Sequence, residues 1–340
     1  MDPDYRGSFS HIYDDEGYEN AVFSFQGGRN FVIYCTVYNP AIDIIYTLDE
    51  LVPGVTCTDV SSQSLPAGKG INVAKVVKTL GEEVTVVGLM PEEDRERFTR
   101  FLDNRNITSY FYPVEGTVRV NTTMTEKKTG QVTHINSAEY RWSTRIQDEF
   151  HEFLATYMQE GDIWALSGSI PQGFDSDTYM KLIQTCKKKN ITVMLDSRGL
   201  AFNMGVRAGP HMVKPNLLEL EAFFGEHVEG VHHIALKGKR LFDMGIEYVF
   251  ISLGADGMIA IHEDDCLLCS VPAVEVVDTV GCGDALVGGF LVARTRSFSF
   301  IEACRMGIAC GTSNALHTGP GIIDKEEIWR LMEDVRIEAV

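Results

Sequence analysis

The stretch "DTVGCGDALVGGFL", residues 278–291, sets two closely spaced glycines, Gly281 and Gly283, directly before an acid, Asp284, at the mouth of an apolar run with helical spacing. An Asp at a helix start has an ordinary use, because its side chain caps free backbone N–H groups. A glycine turn at the same place lets backbone amides point outward, where the helix dipole favours an anion. An acid and an anion hole side by side point to chemistry on a phosphate.

Outward from this stretch the chain alternates. "FVIYCTV" (31–37) and "VTVVGLM" (84–90) read as buried strands, "INVAKVVKTLG" (71–81) and "DRERFTRFLDNRN" (94–106) as helices. The same rhythm recurs in "DIWALSG", "SDTYMKLIQTCKKKN", "ITVMLD", "IEYVFISLG" and "FIEACRMGIACGTSNAL". Strands alternating with helices predict an α/β fold: a doubly wound, mostly parallel sheet with helices on both faces. One region breaks the rhythm. Residues 117–136, "TVRVNTTMTEKKTGQVTHIN", alternate with period two across a turn at 127–130 and predict a β-hairpin. Residues 41–50 and 56–64 are also strand-like, so the three segments are expected to form a small separate sheet over the site. Residues 1–29 are acidic, aromatic and turn-rich without a sustained period; they predict a flexible extension or leader ahead of a domain over 30–336.

Composition narrows the function. With 48 acidic and 30 basic residues the formal charge of the 340-residue chain is −18, a field that repels nucleic acid and anionic membranes. An anionic substrate therefore needs local Lys or Arg. No apolar stretch approaches membrane-spanning length, and the acidic start lacks signal-peptide features. The 8 cysteines are scattered through core-like segments, as reduced cytoplasmic thiols are, and Cys266 and Cys269 read as strand residues rather than zinc ligands.

Other motifs carry candidate chemistry. In "SLPAGKGINVAKVVKTLG", Gly68 and Gly70 flank Lys69 ahead of a helix, where backbone and ammonium can meet an oxyanion together. It is no P-loop, since Gly follows Lys69. Read alone, it is equally an ordinary turn with an exposed lysine. Asp43, in "NPAIDIIY", follows the first core strand, where ligands of open α/β sheets collect, and a carboxylate there can accept from two sugar hydroxyls. A solvated loop acid is the plainer reading. In "KPNLLELEAFFG", Pro215 and Glu219 suit a helix start, and Asn216 with Glu219 can also share water ligands of a magnesium ion. "ISLGADGMIAI" (251–261) predicts a hairpin whose Gly254 and Gly257 let backbone approach a nucleotide.

The succession "NPAID", "AGKGINVAKVVKTLG", "LSGSIPQG", "KPNLLEL", "SLGADG", "DTVGCGDALVGGF" resembles the ribokinase-like (PfkB) carbohydrate kinase family from about Phe31 to near the C-terminus, and most of all its phosphosugar branch. The resemblance implies a three-layer α/β/α Rossmann-like domain with a small β-sheet lid, ATP and magnesium as cofactors, and dimers clasped through the lids. It implies Asp284 as general base and the backbone of Gly281, Cys282 and Gly283 as the anion hole. It implies Asp43, Gly68, Lys69, Asn72, Arg119 and Asn121 around the sugar, with Arg119 facing a substrate phosphate. On the nucleotide side it implies Asn216, Ser252, Gly254, Asp256, Gly257, Gly283 and Asn314, with Glu219 acting on magnesium indirectly and Asp278 a candidate for a monovalent cation. Cys282 stands where the family commonly has Ala, Ala67 where it has Gly, and Pro91 where glycine is common. The expected reaction is ATP-dependent phosphorylation of a ketohexose monophosphate: fructose 1-phosphate or fructose 6-phosphate first, tagatose 6-phosphate next. The alternatives are a ribose or nucleoside kinase, or a non-catalytic sugar-phosphate-binding regulator.

Overall fold

The computed structural model describes residues 32–340 apart from 59, 139 and 140, together with the backbone of Ile12–Tyr13 and Glu19–Asn20. The chain divides into two units, Met1–Phe31 and Val32–Val340. In the first, Ile12–Tyr13 pairs antiparallel with Glu19–Asn20; the expectation of a flexible extension over 1–29 otherwise lies outside the described residues.

Among the described residues of the second unit, ten strands form one sheet. In spatial order they are Arg336–Ala339, Asp265–Ser270, Met258–His262, Tyr248–Ser252, Met212–Val213, Thr192–Asp196, Ile163–Ser167, Ile33–Val37, Val84–Pro91 and Thr108–Val114. The seven from Tyr248–Ser252 onward are parallel, and the other three join antiparallel. The strand at 336–339 carries the compact unit past the expected boundary at 336.

Parallel strands covered on both faces are apolar on both faces, and here successive residues enter opposite layers. Ile33 and Cys35 pack with Ile71, Val76 and Phe290, while Tyr34 stacks on Trp164 in the other layer, ring centres 4.8 Å apart. Helices Lys69–Thr79, Glu92–Asp103, Cys282–Thr295, Phe300–Ala315 and Lys325–Asp334 supply the first layer. Helices Thr144–Tyr157, Thr178–Lys188, Gly199–Arg207, Leu217–Phe224 and Val231–Phe242 supply the second. This is the three-layer architecture expected. Helix Cys282–Thr295 is buried continuously from Asp284 to Ala293, as an all-round apolar helix must be. Its "GG" explains how: a Cβ on Gly288 would stand 2.8 Å from Val76 Cβ, and one on Gly289 2.9 Å from the Met306 carbonyl.

From Ile33–Val37 the chain moves to Val84–Pro91 and Thr108–Val114 on one side, then returns to Ile163–Ser167 on the other. The order reverses there, and ligands of open α/β sheets bind at such a reversal, beyond the C-terminal strand ends. Asn39 Nδ2 donates to Ser169 Oγ across this crevice at 3.1 Å.

The expected separate sheet exists. Its strands run in the order Ser61–Ala67, Ala41–Leu48, Arg119–Glu126, Val132–Asn136. Two details differ from expectation. The strand placed at 56–64 lies at Ser61–Ala67, with Ala67 opposite Ala41, because Pro66 and Ala67 bury and the Thr56–Thr58 stretch does not. Asp43 sits on this lid, as the expected span 41–50 places it, and not at the end of the main sheet where ligands of open sheets collect. No described helix is long and apolar enough to cross a membrane, and all eight cysteines are free.

Candidate active site

The glycine turn is built as an opening. Gly281 is the N-cap of helix Cys282–Thr295 at φ +87°, a left-handed conformation that favours glycine, and it lies flat on Pro320, whose Cβ would be 2.5 Å from a Cβ there. A helix N-terminus carries N–H groups without intrahelical partners. Asp284 does not cap them. Its carboxylate, 5% exposed, accepts from Asn72 Nδ2 at Oδ2 (2.8 Å) and faces Lys69 Nζ at Oδ1 (3.6 Å). The capping role expected from local rules is displaced by tertiary partners.

Behind Lys69 lies a chain of charge that the sequence reading missed. Lys69 Nζ donates to Asp196 Oδ2 at 2.8 Å, and Lys214 Nζ stands 3.2 Å from Asp196 Oδ1. Asp196 ends strand Thr192–Asp196, and Lys214 follows the neighbouring strand Met212–Val213, so side-by-side strand ends bring them together. At an effective dielectric of ~20, a unit pair about 4 Å apart is worth ~4 kcal/mol, while sealing a carboxylate from water costs several kcal/mol. One lysine roughly balances the cost of the carboxylate, and the second pair helps offset the burial of Lys214 itself. Burial pushes Asp196 up, but Lys214 and Lys69 hold it below the usual carboxylate range. Burial raises Asp284 too; Lys69 pulls it down and the Asp196 charge pushes it back, leaving it raised. Lys69 loses to burial and gains more from Asp196 and Asp284, so it stays charged. A charged residue closing an apolar strand, as in "ITVMLD" and "MVK", was the available signal.

On the sugar side, Gly68 caps helix Lys69–Thr79 and accepts the Asn72 N–H at 3.0 Å. Asp43 and Asn121 are register partners across two lid strands, and Asn121 Nδ2 donates to Asp43 Oδ1 at 2.8 Å. Arg119, opposite Ala41, acts electrostatically on Asp43. Burial raises Asp43, against Asn121, Arg119 and Lys75. Ionised carboxylates only accept, so Asn72 and Asn121 each turn nitrogen to an acid. That leaves Asn72 Oδ1 and Asn121 Oδ1 buried without a partner among the described residues, as acceptors for hydroxyl donors.

The nucleotide-side residues divide. Asn216 and Ser252 are bridged at adjacent strand ends. Gly254 and Asp256 form an exposed turn, but Gly257 lets strand Asp265–Ser270 pack close, since a Cβ there would lie 2.0 Å from the Cys269 carbonyl. Asn314 is a buried strut: Nδ2 donates to the Val280 carbonyl (2.9 Å) and Oδ1 accepts from Gly321 N (2.6 Å). The Cys282 thiol lies 3.6 Å from Asn314 Nδ2, and burial raises it. Asp278 staples the same loops, Oδ1 accepting from Val280 N at 2.9 Å and Oδ2 from Gly319 N at 3.0 Å. Asn216 and Glu219 form a capping box that spends Glu219 Oε2 on Asn216 N and leaves Oε1 without a hydrogen bond. No three His, Cys, Asp or Glu residues among those described converge as a metal cage. Magnesium keeps several waters and binds through one or two carboxylates plus substrate phosphates, so one spare carboxylate oxygen fits it.

A buried carboxylate behind a helix-N-terminal turn, set in the crevice of a doubly wound sheet, suits phosphoryl transfer. The chain belongs to the pfkB family of carbohydrate kinases: residues 36–327 match the profile of the pfkB family carbohydrate kinase. It is similar to the 1-phosphofructokinase of Bacillus subtilis (strain 168), 31% identical over 308 residues, 90% of this chain and 99% of the relative. The 1-phosphofructokinase of Escherichia coli (strain K12) is 29% identical over 300 residues, 88% and 96% of the two chains. A putative phosphofructokinase structure from Staphylococcus aureus superposes with TM-score 0.78 at 27% identity, covering 91% of this chain and 99% of that one. Phosphofructokinase-2 from Escherichia coli in complex with potassium gives 0.84 at 23% identity, with coverage of 89% and 98%, a likeness of fold.

Proposed function

We propose that this kinase transfers the γ-phosphoryl group of ATP to a free hydroxyl of a fructose phosphate, fructose 1-phosphate before fructose 6-phosphate. The observation that carries the reading is Asp284, held by Asn72 and Lys69 at the mouth of the anion turn. The relatives named 1-phosphofructokinase support the substrate.

Asp284 takes the proton of the attacking hydroxyl as its oxygen bonds to the γ-phosphorus; the bond from that phosphorus to the β–γ bridging oxygen breaks and ADP leaves. A hydroxyl is a poor nucleophile at neutral pH, and a base with a raised pKa is the better acceptor. Charge gathered on the transferring group meets the turn at 281–283. Lys214 joins it there, its Nζ 3.3 Å from the point a Cβ on Gly283 would occupy. Asn72 Oδ1 and Asn121 Oδ1 orient sugar hydroxyls. Arg119 is the cation for the substrate phosphate, because the Lys69 ammonium is committed to Asp196 and Asp284. Glu219, with Asn216, would hold magnesium through water, and the ion would neutralise phosphate charge. Asp278 is the candidate for a monovalent cation, shared with its backbone donors.

A homodimer through the lids completes the reading. The lid's edge strand Val132–Asn136 leaves Val132 48% and Ile135 56% exposed, and an unpaired apolar edge calls for a covering surface. Val118, by contrast, is buried in the main core.

The test is a coupled ADP-release assay across fructose 1-phosphate, fructose 6-phosphate, tagatose 6-phosphate, fructose, ribose and adenosine. A fructose phosphate should dominate kcat/KM. Equal use of fructose and its phosphates, or preference for ribose or adenosine, overturns the reading.

A further inference from the structure

Lys75 lies one turn beyond Asn72 on helix Lys69–Thr79 and is only 6% exposed. Residues three apart share a helix face, so the face that holds Asp284 also carries a buried cation. The surrounding buried positions of the helix are Ile71, Val73, Ala74, Val76 and Val77. A buried charge costs several kcal/mol more than an apolar side chain of the same size. Among the described residues, the ammonium donates to the carbonyl of Pro320.

Pro320 is the surface on which Gly281 rests. Its neighbour Gly321 lies over the same helix, where a Cβ would stand 2.7 Å from the Asn72 carbonyl and 2.8 Å from Lys75 Cε. Asn314 ties Gly321 N to the Val280 carbonyl. Residues 319–321 are therefore a wedge between helix Lys69–Thr79 and the anion turn, and Lys75 grips the wedge from below.

We propose that Lys75 is a positioning residue for phosphoryl transfer: by holding the Pro320 carbonyl it seats Pro320 against Gly281 and so aims the amides of the anion turn. The inference rests on that turn being the phosphoryl site, as proposed above. The groups facing Lys75 are Asp284 from helix Cys282–Thr295, Asp43 from the lid and Arg105 beyond helix Glu92–Asp103. Burial, helped by Arg105, pushes the Lys75 ammonium down to about 8 against the pull of Asp284 and Asp43. It is charged below that pH and a weaker, neutral donor above it, so kcat/KM declines as pH rises through this range.

The experiment is steady-state kinetics across roughly two pH units on each side of neutrality for the native enzyme, Lys75→Met, Lys75→Arg and Asp284→Asn, with thermal melting as the check on folding. Lys75→Met should lower kcat by about 10–100-fold, the scale of a misaimed site, with both KM values little changed and the alkaline limb gone. Lys75→Arg, charged throughout, should recover part of kcat and move the limb to higher pH. A folded Lys75→Met with near-native kcat, or with its limb intact, overturns the inference. If neither Lys75 variant folds, the native profile decides: an alkaline fall in kcat/KM supports the role, and a flat profile overturns it. Full turnover by Asp284→Asn is a separate failure, that of the phosphoryl-site reading itself.

Discussion

Asn72 donates its side-chain N–H to Asp284 Oδ2 at 2.8 Å, joining the first helix of the main domain to the helix that follows the glycine turn at 281–283. The contact orients the Asp284 carboxylate, the proposed base, and leaves Asn72 Oδ1 as a buried acceptor beside it. A proton acceptor and a hydroxyl-orienting group are thereby one hydrogen bond apart. Asp43 and Asn121 repeat the arrangement on the lid.

Asp284→Asn keeps the size of the base and abolishes its proton acceptance. We expect kcat to fall by about 10²–10⁴-fold, with ATP binding by calorimetry little changed. In the native enzyme, burial has raised Asp284, so kcat/KM should begin to fall on acidification above ~3.9, the ordinary aspartate value. Normal turnover by a folded variant removes the base assignment.

Lys69 is the cation that pulls Asp284 down. Lys69→Met should therefore move the acid limb of kcat/KM to higher pH. Arg119→Ala should leave that limb in place and raise KM for the sugar phosphate. If the two variants exchange phenotypes, Lys69 grips the substrate phosphate and Arg119 does not.

Asp196 compensates two lysines, of which Lys214 is buried. Asp196→Asn leaves Lys214, buried, without its carboxylate and should cost about 3–5 kcal/mol in urea unfolding, the scale for breaking a buried pair. Its folded pKa is depressed, so its contribution is present above the unfolded aspartate value and lost as pH falls through the folded one. The native-minus-variant difference should shrink on strong acidification; a constant difference at every pH contradicts this.

On the lid, Val132→Asp with Ile135→Asp should shift sedimentation at assay concentrations from dimer to monomer without lowering the melting temperature of the main domain. A dimer indifferent to both changes places the interface elsewhere.

What the sequence determined by itself was local. Apolar periods of two and near four marked the layers, a glycine pair before Asp284 marked an anion turn, and an interrupted rhythm marked the lid, because backbone sterics and burial act within a few residues. Tertiary structure decided the rest. Asp284 was expected to cap its own helix, and Asn72 and Lys69, more than 200 positions away, drew it elsewhere. Asp196 and Lys214 became partners because their strands lie side by side, a fact of sheet order that neither segment encodes. Asn314, read as a nucleotide contact, became a strut because loops 278–281 and 317–321 fold onto each other. Charge energies depend on distance and burial, and those exist only once the chain has closed.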